Sequence, residues 1–188
     1  MLSRHPHITL FAVISLIGCG ETVAPSESSP NREGDLSLAV AKGDPGRRIF
    51  LRDRCGGDSW APFGGCLISG NVERPEWLAR VQETGSHPLW MNSPVATAVG
   101  TGTTLEVVNV GGRGHTFTRV ANFGGGILPV LNTRDDTRIP APECLAGLVS
   151  IPGAGGSIDH TFTGVGEQRY QCCFHPWMRT TVKVIDRP

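Results

Sequence analysis

The spacing of apolar side chains changes several times along the chain. Residues 8–17 form a continuous apolar run behind a short basic start, MLSR, and the run is too short to span a bilayer. Residues 20–34, GETVAPSESSPNREG, carry almost no apolar side chains and predict a flexible tether that cannot bury a core. Alternation starts near Asp35: Leu36, Leu38 and Val40 share one face of a half-buried strand, and Asp44-Pro45-Gly46 makes a turn. Arg48 to Arg52 is a second strand, and the glycine-heavy stretch from Cys55 to Cys66 predicts an irregular loop. Pro75 to Thr84 is the one helix. Proline suits its first turn, Gly85 its C-terminal cap, and Trp77, Leu78 and Val81 give it a small apolar face for the core.

From Val95 onward the period is that of strands. Thr103 to Val110 alternates and is rich in branched side chains, Gly111-Gly112-Arg113-Gly114 is a connection, and His115 to Val120 is the next strand. Residues 121–156 read as one long loop rich in Gly and Pro, of a length that usually has a function of its own. Ile158 to Thr163, Arg169 to Cys172 and Thr180 to Ile185 complete the set. Short strands, regular turns and no alternating helices predict an all-β sandwich with one short helix and an N-terminal extension.

Composition adds boundaries. A chain of 188 residues accommodates one domain with an extension, and 17 basic against 17 acidic residues exclude a general affinity for nucleic acid. Leu16-Ile17-Gly18-Cys19 resembles the lipobox of bacterial lipoproteins. That resemblance implies a signal peptide over 1–18, a lipidated Cys19 and a tether over 19–34. The mature protein would then be exported and lipid-anchored on the periplasmic side of a membrane, with Gly20 after the cysteine fitting outer-membrane sorting. An extension over 35–85 and a β domain over 86–188 follow.

The chemistry concentrates in YQCCFHPWM, residues 170–178, where Cys172, His175 and Met178 fall three residues apart. A thiolate, an imidazole and a thioether together suit copper better than zinc, magnesium or calcium. The fourth ligand has to come from elsewhere, and His115 in GHTFTRV is the candidate. Singly, a strand histidine, a methionine or a cysteine would serve packing or a disulfide; the combination points to a metal. The other histidines fit less well. His5 and His7 lie in the cleaved segment, His87 ends a turn, and His160 shares a strand face with Ile158 and Phe162 as a buried, hydrogen-bonded side chain. No Cys-x-x-Cys-His for haem attachment is present.

Cys-x-x-His-Pro-x-Met behind Tyr-x resembles the metal loop of the cupredoxins, the short-loop amicyanin type in particular. LEVVNVGGRGHTF is similar to their strand, asparagine, turn and first histidine, and the likeness covers roughly residues 86–188. It implies a Greek-key sandwich holding one type 1 copper on His115, Cys172, His175 and Met178. Asn109 would close the strand ahead of the first ligand, and Trp177 with Pro176 would surround His175, whose ring edge would approach solvent. A transient redox protein would dock on that apolar rim, with Arg113 and Arg179 beside it, and the protein would carry electrons without turning over a small-molecule substrate. A copper-capture or copper-delivery module and a metal-free structural domain are the alternatives.

With Cys19 given to lipid and Cys172 to metal, Cys55, Cys66, Cys144 and Cys173 remain, enough for two disulfides whose pairing the sequence does not fix. Cys55–Cys66 would close a local loop, and Cys144–Cys173 would tie the long loop to the metal turn. Cys173 departs from the family pattern, but an extended backbone aims its side chain away from Cys172.

Overall fold

The structure, a computed structural model, describes residues 47–187. The signal peptide, Cys19, the tether and the strand and turn expected before residue 47 lie outside the described residues. The chain forms β1 (Arg48–Arg52), a 3₁₀ turn at Asp58–Phe63, α1 (Arg74–Thr84), β2 (Met91–Ser93), β3 (Ala96–Gly100) and β4 (Thr103–Asn109). It continues through β5 (His115–Thr116), β6 (Thr118–Val120), two single-turn 3₁₀ segments, α2 (Pro142–Leu145), β7 (Ser150–Ile151), β8 (Ser157–Phe162), β9 (Gly166–Gln171) and β10 (Arg179–Ile185). No helix of the described residues is long and apolar enough to cross a membrane.

Two four-stranded sheets, in the orders β2-β1-β4-β8 and β3-β10-β9-β6, make the expected β-sandwich, and β5 with β7 adds a small third ladder. The alternation explains the layering. Ile49, Leu51, Leu105 and Val107 of the first sheet and Val99, Val182 and Val184 of the second are all at most 4% exposed and share one core cluster. Burial of such side chains supplies about 1.5–3 kcal/mol each. Part of the expected N-terminal extension thus belongs to the sandwich: β1 runs parallel to β4 and antiparallel to β2, an interior position.

Two details of register position the site. In the parallel pair Leu51 lies opposite Asn109, so the chain just past β1 emerges beside the Gly111–Gly114 turn just past β4. The strand expected over His115 to Val120 is split. His115 and Thr116 pair with β7, whereas Thr118 to Val120 pair with β9 in the second sheet, so the chain changes ladder at Phe117.

α1 begins with proline in its first turn and ends at Gly85, whose φ of 73° is open mainly to glycine. It buries Trp77 and Val81. Trp77 stands against Trp60 at 5.2 Å and Trp90 at 5.8 Å between ring centroids, so three tryptophans from separate segments seal the end of the sandwich above the metal turn. Trp77→Ala should cost about 3–5 kcal/mol in chemical denaturation, the range for deleting a large buried aromatic. Leu145→Ala, at a position 67% exposed, should stay within about 0.5 kcal/mol of wild type.

Candidate metal centre

His115, Cys172 and His175 converge in the core, 0%, 0% and 7% exposed. Cys172 Sγ lies 3.7 Å from His115 Nδ1 and 3.6 Å from His175 Nδ1, and the two Nδ1 atoms are 3.2 Å apart. A point equidistant from the three atoms lies roughly 2.0 Å from each, the length of a bond between a transition metal and a nitrogen. Met178 is fully buried in the same core cluster. Its backbone ties the turn shut: Cys172 N–H donates to the Met178 carbonyl at 3.0 Å, and Met178 N–H to that of His175 at 2.9 Å.

The turn is held from the other strands as well. Thr116 N–H donates to Cys172 Sγ at 3.4 Å, and the Thr116 hydroxyl accepts from Cys173 N–H at 2.8 Å. Asn109, fully buried, closes the connection to His115. Its amide donates to the carbonyls of Arg113 and Ile151 at 2.7 and 2.9 Å, and its Oδ1 accepts from Gly111 N–H at 3.0 Å. The structure joins Cys55 to Cys66 and Cys144 to Cys173, leaving Cys172 as the one free cysteine among the described residues.

One contributor has no signal in the sequence. Asp53, the residue after β1, is 4% exposed and accepts His115 Nε2–H at 2.8 Å. Its two oxygens also take the N–H groups of Cys55 (3.1 Å), Gly112 (2.9 Å) and Arg113 (2.9 Å). Gly111 has to be glycine here, because a Cβ would collide with this carboxylate. Nothing in the spacing of the segment 35–85 marks a lone aspartate; only the parallel β1–β4 register brings it to the turn.

That hydrogen bond fixes the histidine. The carboxylate is already accepting, so Nε2 carries a hydrogen and Nδ1 is the atom turned to Cys172 and His175. Burial alone would lower the His115 pKa, but the bonds to Asp53 and to the Cys172 sulfur raise it to about 9. Burial opposes ionisation of Cys172 too, and His115 and His175 nonetheless hold its thiol well below the ordinary value. Burial pushes His175 down, leaving it the neutral acceptor of the pair.

His175 is more enclosed than the sequence implied. Trp77 meets its ring edge-on at 5.9 Å and Trp177 at 5.6 Å, and Trp177 is pinned by its indole N–H to the Trp90 carbonyl at 3.1 Å. The open edge expected for His175 is reduced to part of the lining of a groove of about 510 Å3, bordered by Trp60, Phe63, Trp77, Leu128, Val130 and Phe174. The flanking arginines are engaged within the protein. Arg113 lies over Trp60 and bonds the Gly65 carbonyl, and Arg179 pairs with Asp136 at 2.7 Å. His160 bonds the Tyr170 hydroxyl at 2.8 Å, away from the centre. Among the described residues His115, Cys172 and His175 form the one such cluster.

No protein-family model and no curated protein matches the sequence. Among solved structures, a purple cupredoxin from Nitrosopumilus maritimus is 15% identical, with 73% of this chain and 98% of that one covered at a TM-score of 0.40. Plastocyanin from Dryopteris crassirhizoma is 15% identical over 74% and 100% of the two chains, at 0.38. An amicyanin variant is 21% identical over 53% and 77%, at 0.34. At these TM-scores the reading of the centre rests on its own geometry.

A metal taking His115 Nδ1 must displace the proton that a pKa of about 9 keeps there near neutrality. Affinity should therefore climb about tenfold per pH unit and level off above the His115 pKa. Chelator competition, corrected for the chelator's own protons, measures this; a flat profile between roughly pH 7 and 9 would show that His115 loses no proton.

Proposed function

We propose that the protein holds one type 1 copper ion on His115, Cys172, His175 and Met178 and carries single electrons at the cell envelope. The observation that carries this reading is the convergence of one free thiolate and two imidazole Nδ1 atoms around a common point in a dry core. One sulfur and two borderline nitrogens suit copper, and a weak methionine beside them suits a site that changes oxidation state with little rearrangement. Bound there, copper would supply a one-electron couple.

The residues divide the remaining work. Cys172 presents a sulfur that His115 and His175 make easier to ionise, steadied by Thr116 N–H. Asp53 and Asn109 hold His115 and its turn by hydrogen bonds from within the protein, which restrains the ligand geometry. His175 is the ligand that lines the groove and is the natural exit for an electron, with the apolar walls giving a transient redox partner a weakly adhesive surface. Export and anchoring through Cys19 rest on the lipobox-like Leu16-Ile17-Gly18-Cys19, and two disulfides agree with an oxidising compartment.

Purified protein given Cu(II) should develop an intense visible thiolate-to-copper charge-transfer band, which ascorbate bleaches and reoxidation restores. Cys172→Ser should abolish the band, while Cys173→Ser should destabilise the fold through loss of its disulfide by about 2–4 kcal/mol. A colourless wild type with a titratable Cys172 thiol would sink the assignment.

A further inference from the structure

We infer that Asp53 is a positioning residue whose fixed negative charge biases the copper centre toward Cu(II), making the segment before the long β domain a working part of that centre. The inference rests on the copper reading above and goes beyond it, because Asp53 is not a ligand.

The geometry requires an ionised carboxylate. Four N–H donors, from Cys55, Gly112, Arg113 and His115, point at two oxygens, two to each. An amide at this position would present a donor to one of those pairs, and a protonated carboxyl would lose one acceptor. The carboxylate is buried, and among the described residues no Lys or Arg side chain hydrogen-bonds it; backbone N–H groups and His115 make its direct contacts, while the Arg113 guanidinium acts on it through space. Arg113 reaches it through its backbone and sends its guanidinium to Gly65.

A buried anion behind a ligand imidazole acts in two ways. It makes the ring a stronger donor, and it lowers the energy of the more positive metal state in a medium that screens poorly. Both effects favour Cu(II) over Cu(I). The second feature is mechanical. Asp53 belongs to the stretch fixed by β1 on one side and by the Cys55–Cys66 disulfide on the other, while three of its four donors, on Gly112, Arg113 and His115, follow β4. One side chain therefore pins the first-ligand turn to a separate part of the chain.

The test compares full-length wild type, Asp53→Asn and Asp53→Glu, each loaded with copper. The wild-type band tests the copper reading separately; Asp53→Asn should still assemble the centre and show the band. Its Cu(II) affinity should fall about 10–100-fold with less change for Cu(I). Each tenfold fall in the Cu(II)/Cu(I) affinity ratio raises the reduction potential by about 59 mV. Asp53→Glu, which keeps charge and both acceptors, should move back toward the wild-type potential. An unchanged potential in Asp53→Asn with the band intact overturns the inference, as does an Asp53→Glu potential no closer to wild type than that of Asp53→Asn. Should Asp53→Asn fail to fold, the Cu(I)-loaded wild type decides by 1H–15N NMR. The inference requires a slowly exchanging proton on His115 Nε2, and its absence overturns it. A wild type that never develops the band would instead refute the copper reading.

Discussion

Everything in this molecule answers to one constraint: a sulfur and two ring nitrogens have to stay within 3.2–3.7 Å of one another where water cannot separate or solvate them. Three polar side chains in a core would swing to other partners if the segments carrying them were free to shift. The fold prevents this by cross-linking. Thr116 binds the turn through both its N–H and its hydroxyl, Asn109 makes three bonds around the first histidine's connection, and Asp53 makes four. The sandwich is the rigid body on which those restraints are mounted.

How much of this was readable beforehand depends on sequence distance. Cys172 and His175 lie on one turn, so their spacing alone marked them, and His115 was reachable because it opens a strand behind a glycine connection. The sandwich followed from alternation in β4, β8, β9 and β10, where one face is buried. The contribution of Asp53 could not be read, since its contacts to Gly112, Arg113 and His115 are 59 to 62 residues away and depend on a parallel pairing that leaves no periodic mark. The split of residues 115–120 was hidden for a related reason: the change of ladder at Phe117 depends on pairing with the distant strands β7 and β9. His175 proved more enclosed than expected because the covering rings, Trp60 and Trp77, arrive from the segment before residue 86.

The tryptophans show how that cover works. All four in the chain gather at one end of the sandwich, with Trp60, Trp77, Trp90 and Trp177 linked by centroid distances of 5.2–6.2 Å. Rigid rings lose little rotamer freedom for the area they bury, and offset pairs add about 0.5–1.5 kcal/mol each beyond that area. They keep water from the imidazole of His175 and still leave one approach along the groove.

The neighbouring cysteines carry a consequence for how such a protein matures. Cys173 lies at a bend just past β9, where it reaches Cys144 while Cys172 stays buried and free. A chain in which Cys172 takes the place of Cys173 in that disulfide loses the one free thiol of the described residues and leaves Cys173 without a mate. On the copper reading such a chain would not load metal, so correct pairing at Cys173 and capacity for copper would be gained together.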